Sequence, residues 1–77
     1  MKGFRAMKHY VVCVKNEGYD ASLEKRKIYR TVPDTRAARL HFIRVWDESG
    51  EDYLYPADYF LPIKLPRTLV KALALPA

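Results

Sequence analysis

Short apolar runs alternate along the chain with polar stretches that contain glycine or proline. A run of four to eight β-branched and aromatic residues with such boundaries is typical of a β-strand. Five runs in this chain fit that description. The pattern therefore predicts an all-β chain with strands at residues 10–14, 28–32, 42–46, 53–56 and 60–65.

The clearest local signal is a β-hairpin between the third and fourth strands. Residues 47–52 form its polar loop, in which Gly50 can adopt a positive φ. Pro56 ends the returning strand because it has no N–H to donate. The next three residues have the length of one 3₁₀ turn, after which Phe60 begins the fifth strand. Pro62 within this last strand predicts a position at the edge of the sheet.

Alternation within each strand assigns every side chain to one of two faces. In the third strand, Ile43 and Val45 share the face that we assign to the core. In the fourth strand, Leu54 is predicted to point inward, whereas Tyr53 and Tyr55 point outward. The full predicted core is Val12, Val14, Leu23, Ile28, Ile43, Val45, Leu54 and Phe60.

The segments outside the strands predict little helix. Residues 35–40 are predicted to form a loop or a single helical turn, and the pattern from Ser22 also allows a capping-box helix. Residues 1–7 have no periodicity and are predicted to be a flexible lead-in. Residues 67–77 are predicted to be a helix or tail, because apolar residues recur there at helical spacing behind a candidate N-cap. These are Leu69, Val70 and Leu73, behind Thr68.

The charge of the chain is unevenly distributed. The 77 residues, enough for one domain, have a net charge of +5. Residues 1–46 contain eleven basic and four acidic residues, residues 47–60 contain five acidic and no basic ones, and residues 61–77 add three basic ones. Such runs are typical of a solvated surface, and the alternative interpretation is a basic face that binds an anion.

Composition excludes several classes of protein. A hydrophobic content of 49% with 13% aromatic residues is too high for a disordered chain, and no apolar run is long enough to span a membrane. The single cysteine, Cys13, permits no internal disulfide and no cysteine-based zinc site. The first residues lack the apolar segment of a signal peptide, so we expect a cytoplasmic location.

Residues that carry chemistry do not occur at catalytic or metal-binding spacing. His9 and His41 have no thiol or acidic partner at a suitable distance along the chain. Ser22 and Ser49 lie in turn sequences without a neighbouring base, and the glycines are too isolated to form a phosphate-binding loop. We therefore expect a protein without enzymatic activity and without a cofactor.

The stretch Tyr-Pro-Ala-Asp-Tyr-Phe at residues 55–60 resembles the Pro-x-x-Tyr-aliphatic signature that closes an SH3 domain. The resemblance implies a five-stranded SH3-like barrel over residues 8–66. The turn formers of residues 15–21 predict a loop with Tyr19 at its tip, where an SH3 domain has its RT loop, and residues 22–29 resemble the diverging turn that follows it. The SH3 pattern has glycine where Arg26 stands, so we expect a turn of a different type there. The chain is also similar to a small bacterial family of unassigned activity that shares Asp-Glu-Ser-Gly-Glu-Asp-Tyr-Leu-Tyr-Pro at residues 47–56.

An SH3 domain binds proline-rich segments on a floor of aromatic rings, so the resemblance implies a protein-interaction module or a small accessory subunit. Pro56 and Tyr59 stand where the motif places groove residues, and His41 stands at the position of the specificity tryptophan. The alternative function is binding of RNA or single-stranded DNA by basic residues interleaved with aromatic ones. The sequence leaves the oligomeric state open. The predicted partner-binding residues are Tyr59, Pro56, Tyr55, Trp46, His41 and Tyr19.

Overall fold

Residues 9–72 are described by the computed structural model of this protein. They form five antiparallel strands in one sheet of order β4-β3-β2-β1-β5. This arrangement confirms the predicted all-β fold. The strands are β1 (His9–Cys13), β2 (Ile28–Val32), β3 (Phe42–Trp46), β4 (Asp52–Pro56) and β5 (Phe60–Ile63). The predicted lead-in at residues 1–7 and the end of the chain from Leu73 lie outside the described residues.

The two edges of the sheet are β4 and β5, and within residues 9–72 they do not pair with each other. The sheet is therefore open, whereas the resemblance implied a barrel. Pro62 lies in edge strand β5 opposite Val11, as predicted from its missing N–H. The predicted 3₁₀ turn is present at Ala57–Tyr59 and connects β4 to β5.

Strand register divides the side chains between two faces, because paired residues of antiparallel strands point to the same side. The inner face contains Val11, Cys13, Tyr29, Val45, Tyr55 and Phe60, which pack with Leu23 in one buried cluster. The opposite side, which we call the outer face, includes Arg30, Val32, Phe42, Arg44, Trp46, Leu54 and Pro56.

Half of the predicted core is on the inner face. Leu23, Val45 and Phe60 are buried, and Ile43 is half-buried against the same cluster. The other four assignments are wrong by one residue of register. Val12, Ile28 and Leu54 lie on the outer face, and Val14 follows the end of β1 and is exposed. These strands are apolar on both faces, so alternation alone does not identify the side that faces the core.

Tyr55 is the residue that replaces Leu54 in the core. Its side chain is only 3% exposed, whereas Leu54 is 42% exposed, so the prediction that Tyr55 points outward is wrong. Tyr29 replaces Ile28 in the same way. A buried tyrosine needs a partner for its hydroxyl, and both find one in the β3–β4 loop, as described below.

The residues that the structure describes also form two short α-helices. Helix α1 (Thr35–Arg39) confirms the predicted helical turn, and Asp34 caps it by accepting from the Ala37 N–H at 3.0 Å. Helix α2 (Arg67–Ala72) begins one residue before the predicted N-cap Thr68, and none of its residues is fully buried. Within the described part of the chain, neither helix has the length and apolar character needed to cross a bilayer.

Arg26 adopts a φ of 71°, the left-handed conformation that glycine normally supplies. The expected change of turn type at this residue is therefore wrong. The Arg26 N–H donates to the Cys13 carbonyl at 2.7 Å, so the turn is fastened to the end of β1. Residues 22–27 form turns rather than the alternative capping-box helix.

Candidate functional site

Three tyrosines from two distant parts of the chain meet at one end of the sheet. The Tyr19 ring lies edge-on to Tyr55, with ring centroids 5.0 Å apart, and edge-on to Tyr59 at 6.0 Å. Both separations fall in the range of favourable aromatic pairs. We call Tyr19, Tyr55 and Tyr59 the tyrosine cluster. Three of the six predicted partner-binding residues are thus brought together.

The cluster is held by hydrogen bonds between the loop after β1 and the 3₁₀ turn. The Tyr59 carbonyl accepts from the N–H groups of Val14 and Lys15 at 2.8 and 3.3 Å. In return, the Tyr59 hydroxyl donates to the Glu17 carbonyl at 2.9 Å. Gly18, with a φ of 84°, precedes Tyr19 and supplies the left-handed residue of this turn. Both sides of Tyr59 are therefore fixed to the loop that presents Tyr19.

The three rings differ in exposure. Tyr19 is 40% exposed, Tyr59 is half-buried and Tyr55 is buried beneath them. A partner can therefore contact Tyr19 and Tyr59 directly, whereas Tyr55 supports Tyr19 from below. Tyr55 was predicted to contact the partner, but it is buried, so it supports the ring of Tyr19 instead.

The β3–β4 loop anchors Tyr55 from the other side. The Tyr55 hydroxyl donates to Asp47, whose carboxylate also accepts from the Ser49 N–H at 2.8 Å and from the Ser49 hydroxyl. Burial and the bond to Asp47 raise the pKa of Tyr55 to about 12. Burial of Asp47 opposes its ionisation, but the bonds from Ser49 and Tyr55 outweigh this and lower its pKa. Asp47 is therefore a structural acceptor.

Glu48 has the same role toward Tyr29. The Tyr29 hydroxyl donates to the Glu48 carboxylate at 2.6 Å and accepts from the Glu24 N–H at 2.8 Å. Lys27 lies 2.6 Å from the same carboxylate oxygen. The hydrogen bonds from Lys27 and Tyr29 lower the pKa of Glu48. Burial of Tyr29 and its hydrogen bond to Glu48 raise the pKa of Tyr29. The acidic hairpin loop thus holds two core tyrosines in place.

Exposed carboxylates surround the tyrosine cluster. Glu17 and Asp20 flank Tyr19 in the loop, and Asp58 precedes Tyr59 in the 3₁₀ turn. Partial burial raises the pKa of Tyr59, and the negative charges of Glu17 and Asp58 add to this effect. The surface therefore combines aromatic rings with three exposed carboxylates, groups that attract a cationic side chain.

His41 and Pro56 lie beside each other at the end of the hairpin. The Ala57 N–H donates to the His41 carbonyl at 2.9 Å, and Pro56 pairs in register with Phe42. His41 is exposed and has a φ of 63°. Pro56 points to the outer face, opposite to Tyr55, so this pair borders the tyrosine cluster from the other side of the strand.

Trp46 is remote from the other predicted contacts. It pairs with Asp52 at the opposite end of the hairpin, four residues along β3 from Phe42, or about 13 Å. Its ring is half-buried on the outer face, with the Arg30 guanidinium 5.3 Å from the ring centroid. The six predicted residues therefore do not form one continuous surface.

Sequence reasoning missed the contributions of Glu17 and Asp47. Glu17 acts through its backbone carbonyl, which no side-chain pattern reveals. Asp47 lies in an Asp-Glu-Ser-Gly turn, and an aspartate in such a turn often accepts from the N–H two residues later, as Asp47 does from Ser49. Its bond to Tyr55 depends on which face of β4 is buried.

The thiol of Cys13 is shielded from solvent in the folded chain. Cys13 is fully buried, and burial raises the pKa of its thiol. Among residues 9–72, no three His, Cys, Asp or Glu side chains are grouped so that they could hold a metal ion.

Comparison of the chain with protein-family models, with curated proteins and with solved structures finds no match in any of the three. Function must therefore be inferred from the geometry of the tyrosine cluster and its surroundings.

Proposed function

We propose that this protein is a non-enzymatic protein-interaction module with an SH3-like fold that binds an extended segment of a partner protein at the tyrosine cluster. The observation that supports this most is the position of Tyr19, which is 40% exposed while the rings of Tyr55 and Tyr59 pack against it. An interaction anchor needs such a ring, large and apolar with a polar tip. A cytoplasmic location belongs to the same proposal.

Preorganisation favours binding at this surface. Ordering a free side chain costs about 0.5 to 1.5 kcal/mol on association. The rings of Tyr19 and Tyr59 are already packed together, and the Tyr59 hydroxyl is bonded to the Glu17 carbonyl. Most of that cost is therefore met on folding, before the partner arrives.

The charges around the cluster define the partner further. Glu17, Asp20 and Asp58 are exposed, so a segment with lysine or arginine beside an apolar or proline residue complements them. The apolar residue would pack against the exposed parts of Tyr19 and Tyr59, and the cation would lie over a ring face near the carboxylates. The partner we propose is therefore a basic, extended segment.

Selection from a library of short random peptides displayed on phage tests this proposal. Peptides enriched on the wild-type protein should contain lysine or arginine beside proline or an aliphatic residue. Tyr19→Ala should weaken a selected peptide about thirtyfold, the effect of losing an aromatic anchor. Replacing Glu17 and Asp58 by their amides should weaken it up to about fivefold, as expected for exposed ion pairs.

Tyr53→Ala is the matched control. Tyr53 is also an exposed tyrosine, at 50%, but it lies in β4 at the loop end of the hairpin and bonds to Glu51. Its substitution should leave the affinity unchanged. The proposal would be contradicted if peptides were enriched no more on the wild-type protein than on the bare support. It would also be contradicted if the Tyr19→Ala protein, melting at the wild-type temperature, bound a selected peptide as tightly as the wild type does.

A further inference from the structure

The outer face of the sheet combines arginines with aromatic rings. Register places Phe42, Arg44 and Trp46 of β3 on this side, together with Arg30 of β2. Phe42 is 41% exposed, and Trp46 is half-buried with the Arg30 guanidinium over its ring. This surface points away from the buried inner face on which the tyrosine cluster rests.

Helix α1 adds positive charge beside these strands. Arg36 and Arg39 are exposed in its last turn, which leads directly into β3. The helix is tied to the sheet because Asp34, its N-cap, accepts from the Arg44 Nε at 3.0 Å. We call Arg30, Arg36, Arg39, Phe42, Arg44 and Trp46 the arginine face.

Each acidic residue of the hairpin loop is bonded to a tyrosine of the inner face. Asp47 is buried and bonded to Tyr55, and Glu48 is bonded to Tyr29 and Lys27. Glu51 is exposed and accepts from the hydroxyl of Tyr53, which pairs with Val45 of the inner face. The carboxylates that adjoin the arginine face are Asp34, which is paired with Arg44, and Asp52, which is opposite Trp46. Four arginines thus outnumber two carboxylates.

We propose that the arginine face binds single-stranded nucleic acid. Arg36 and Arg39 would contact phosphates, and the exposed ring of Phe42 would stack on a base. The Arg30 guanidinium lies over the Trp46 ring, and this half-buried pair would border the bound strand. This inference concerns a separate surface and does not depend on peptide binding at the tyrosine cluster.

The intrinsic fluorescence of Trp46 provides the assay, because Trp46 is the single tryptophan of the chain and lies on the proposed surface. Titration with oligouridylate or oligothymidylate should quench this emission. Between about 50 and 200 mM salt, the log-log slope of affinity against salt should be about −0.7 for each phosphate contacted. The Arg36→Ala, Arg39→Ala double variant should therefore reduce the slope by about 1.4.

Two control variants test whether the loss of any charge, or of any exposed apolar side chain, weakens binding as much as a substitution on the arginine face does. Lys25→Ala removes a charge from the exposed turn before β2, and Leu61→Ala removes an exposed apolar residue from β5. Phe42→Ala should weaken binding about fivefold to a hundredfold, the range for loss of one base stacked on an aromatic ring. Neither control should approach that effect, and the melting temperatures of all variants should confirm folding.

Any of these results would overturn the inference: no quenching at low salt, a slope near zero, equal loss in the Lys25→Ala protein, or unchanged affinity in the Phe42→Ala protein. Polyglutamate serves as a competitor. If it displaces the oligonucleotide as effectively as unlabelled oligonucleotide does, the surface recognises an acidic protein and the proposal fails.

Discussion

The hydroxyl of Tyr55 donates a hydrogen bond to the Asp47 carboxylate across the β3–β4 hairpin, and both residues are buried. This single contact joins three features of the fold: the register of β4, the conformation of the acidic loop and the support beneath Tyr19. The ring of Tyr55 lies edge-on to Tyr19, so the bond also fixes the base of the candidate binding surface.

Tyr55→Phe should destabilise the protein by about 1 to 3 kcal/mol, because it leaves a buried carboxylate with one donor fewer. The free energy of unfolding in urea measures this effect. Tyr53→Phe is the control, since the Tyr53 hydroxyl bonds to Glu51 at an exposed position, and its effect should stay within about 0.5 kcal/mol. Equal effects of the two substitutions would contradict a buried role for the Tyr55 hydroxyl.

Leu23→Ala and Leu54→Ala test the register with the same chemical change. Leu23 is 1% exposed, so its truncation should cost about 2 to 5 kcal/mol by leaving a cavity. Leu54 is 42% exposed on the outer face, so its truncation should cost less than about 1 kcal/mol. Thermal or urea unfolding of both variants checks this, and the reverse order would mean that β4 is shifted by one residue.

Acidification should destabilise the fold as the carboxylates of the β3–β4 loop protonate. The pKa values of Asp47 and Glu48 are lowered from 3.8 and 4.5, so their contribution is complete above those values and is lost as the pH falls through the folded-state pKa. The urea midpoint should therefore decline below about pH 4.5. Asp47→Asn should reduce this decline, and an identical pH profile in that variant would exclude Asp47 as a contributor.

Arg26→Gly should stabilise the protein by about 0.5 to 1 kcal/mol. Arg26 has a φ of 71°, which costs an L-residue more than the additional flexibility that glycine brings to the unfolded chain. Arg36→Gly is the opposite control, because Arg36 lies within α1 and glycine should cost about 0.5 to 1 kcal/mol there. A lower melting temperature for Arg26→Gly would show that the arginine side chain itself stabilises the turn.

Local patterns in the sequence were sufficient to predict the elements of the fold. Pro56 and the three residues after it predicted the 3₁₀ turn at Ala57–Tyr59, and Pro62 predicted an edge strand. Both predictions follow from the proline itself, because it has no backbone N–H to donate to a neighbouring strand. The strands Ile28–Val32 and Phe42–Trp46 have the predicted bounds, since β-branched and aromatic runs between turn formers identify a strand without reference to its neighbours.

Only the tertiary structure decided which face of each strand is buried and which side chains form the candidate site. Tyr55 and Tyr29 point inward because Asp47 and Glu48 accept their hydroxyls, and those carboxylates are brought into reach by the folded hairpin. Tyr59 bonds to Glu17 across 42 residues of sequence. Where both faces of a strand are apolar, burial energy barely distinguishes the two registers, so contacts between distant residues determine the choice.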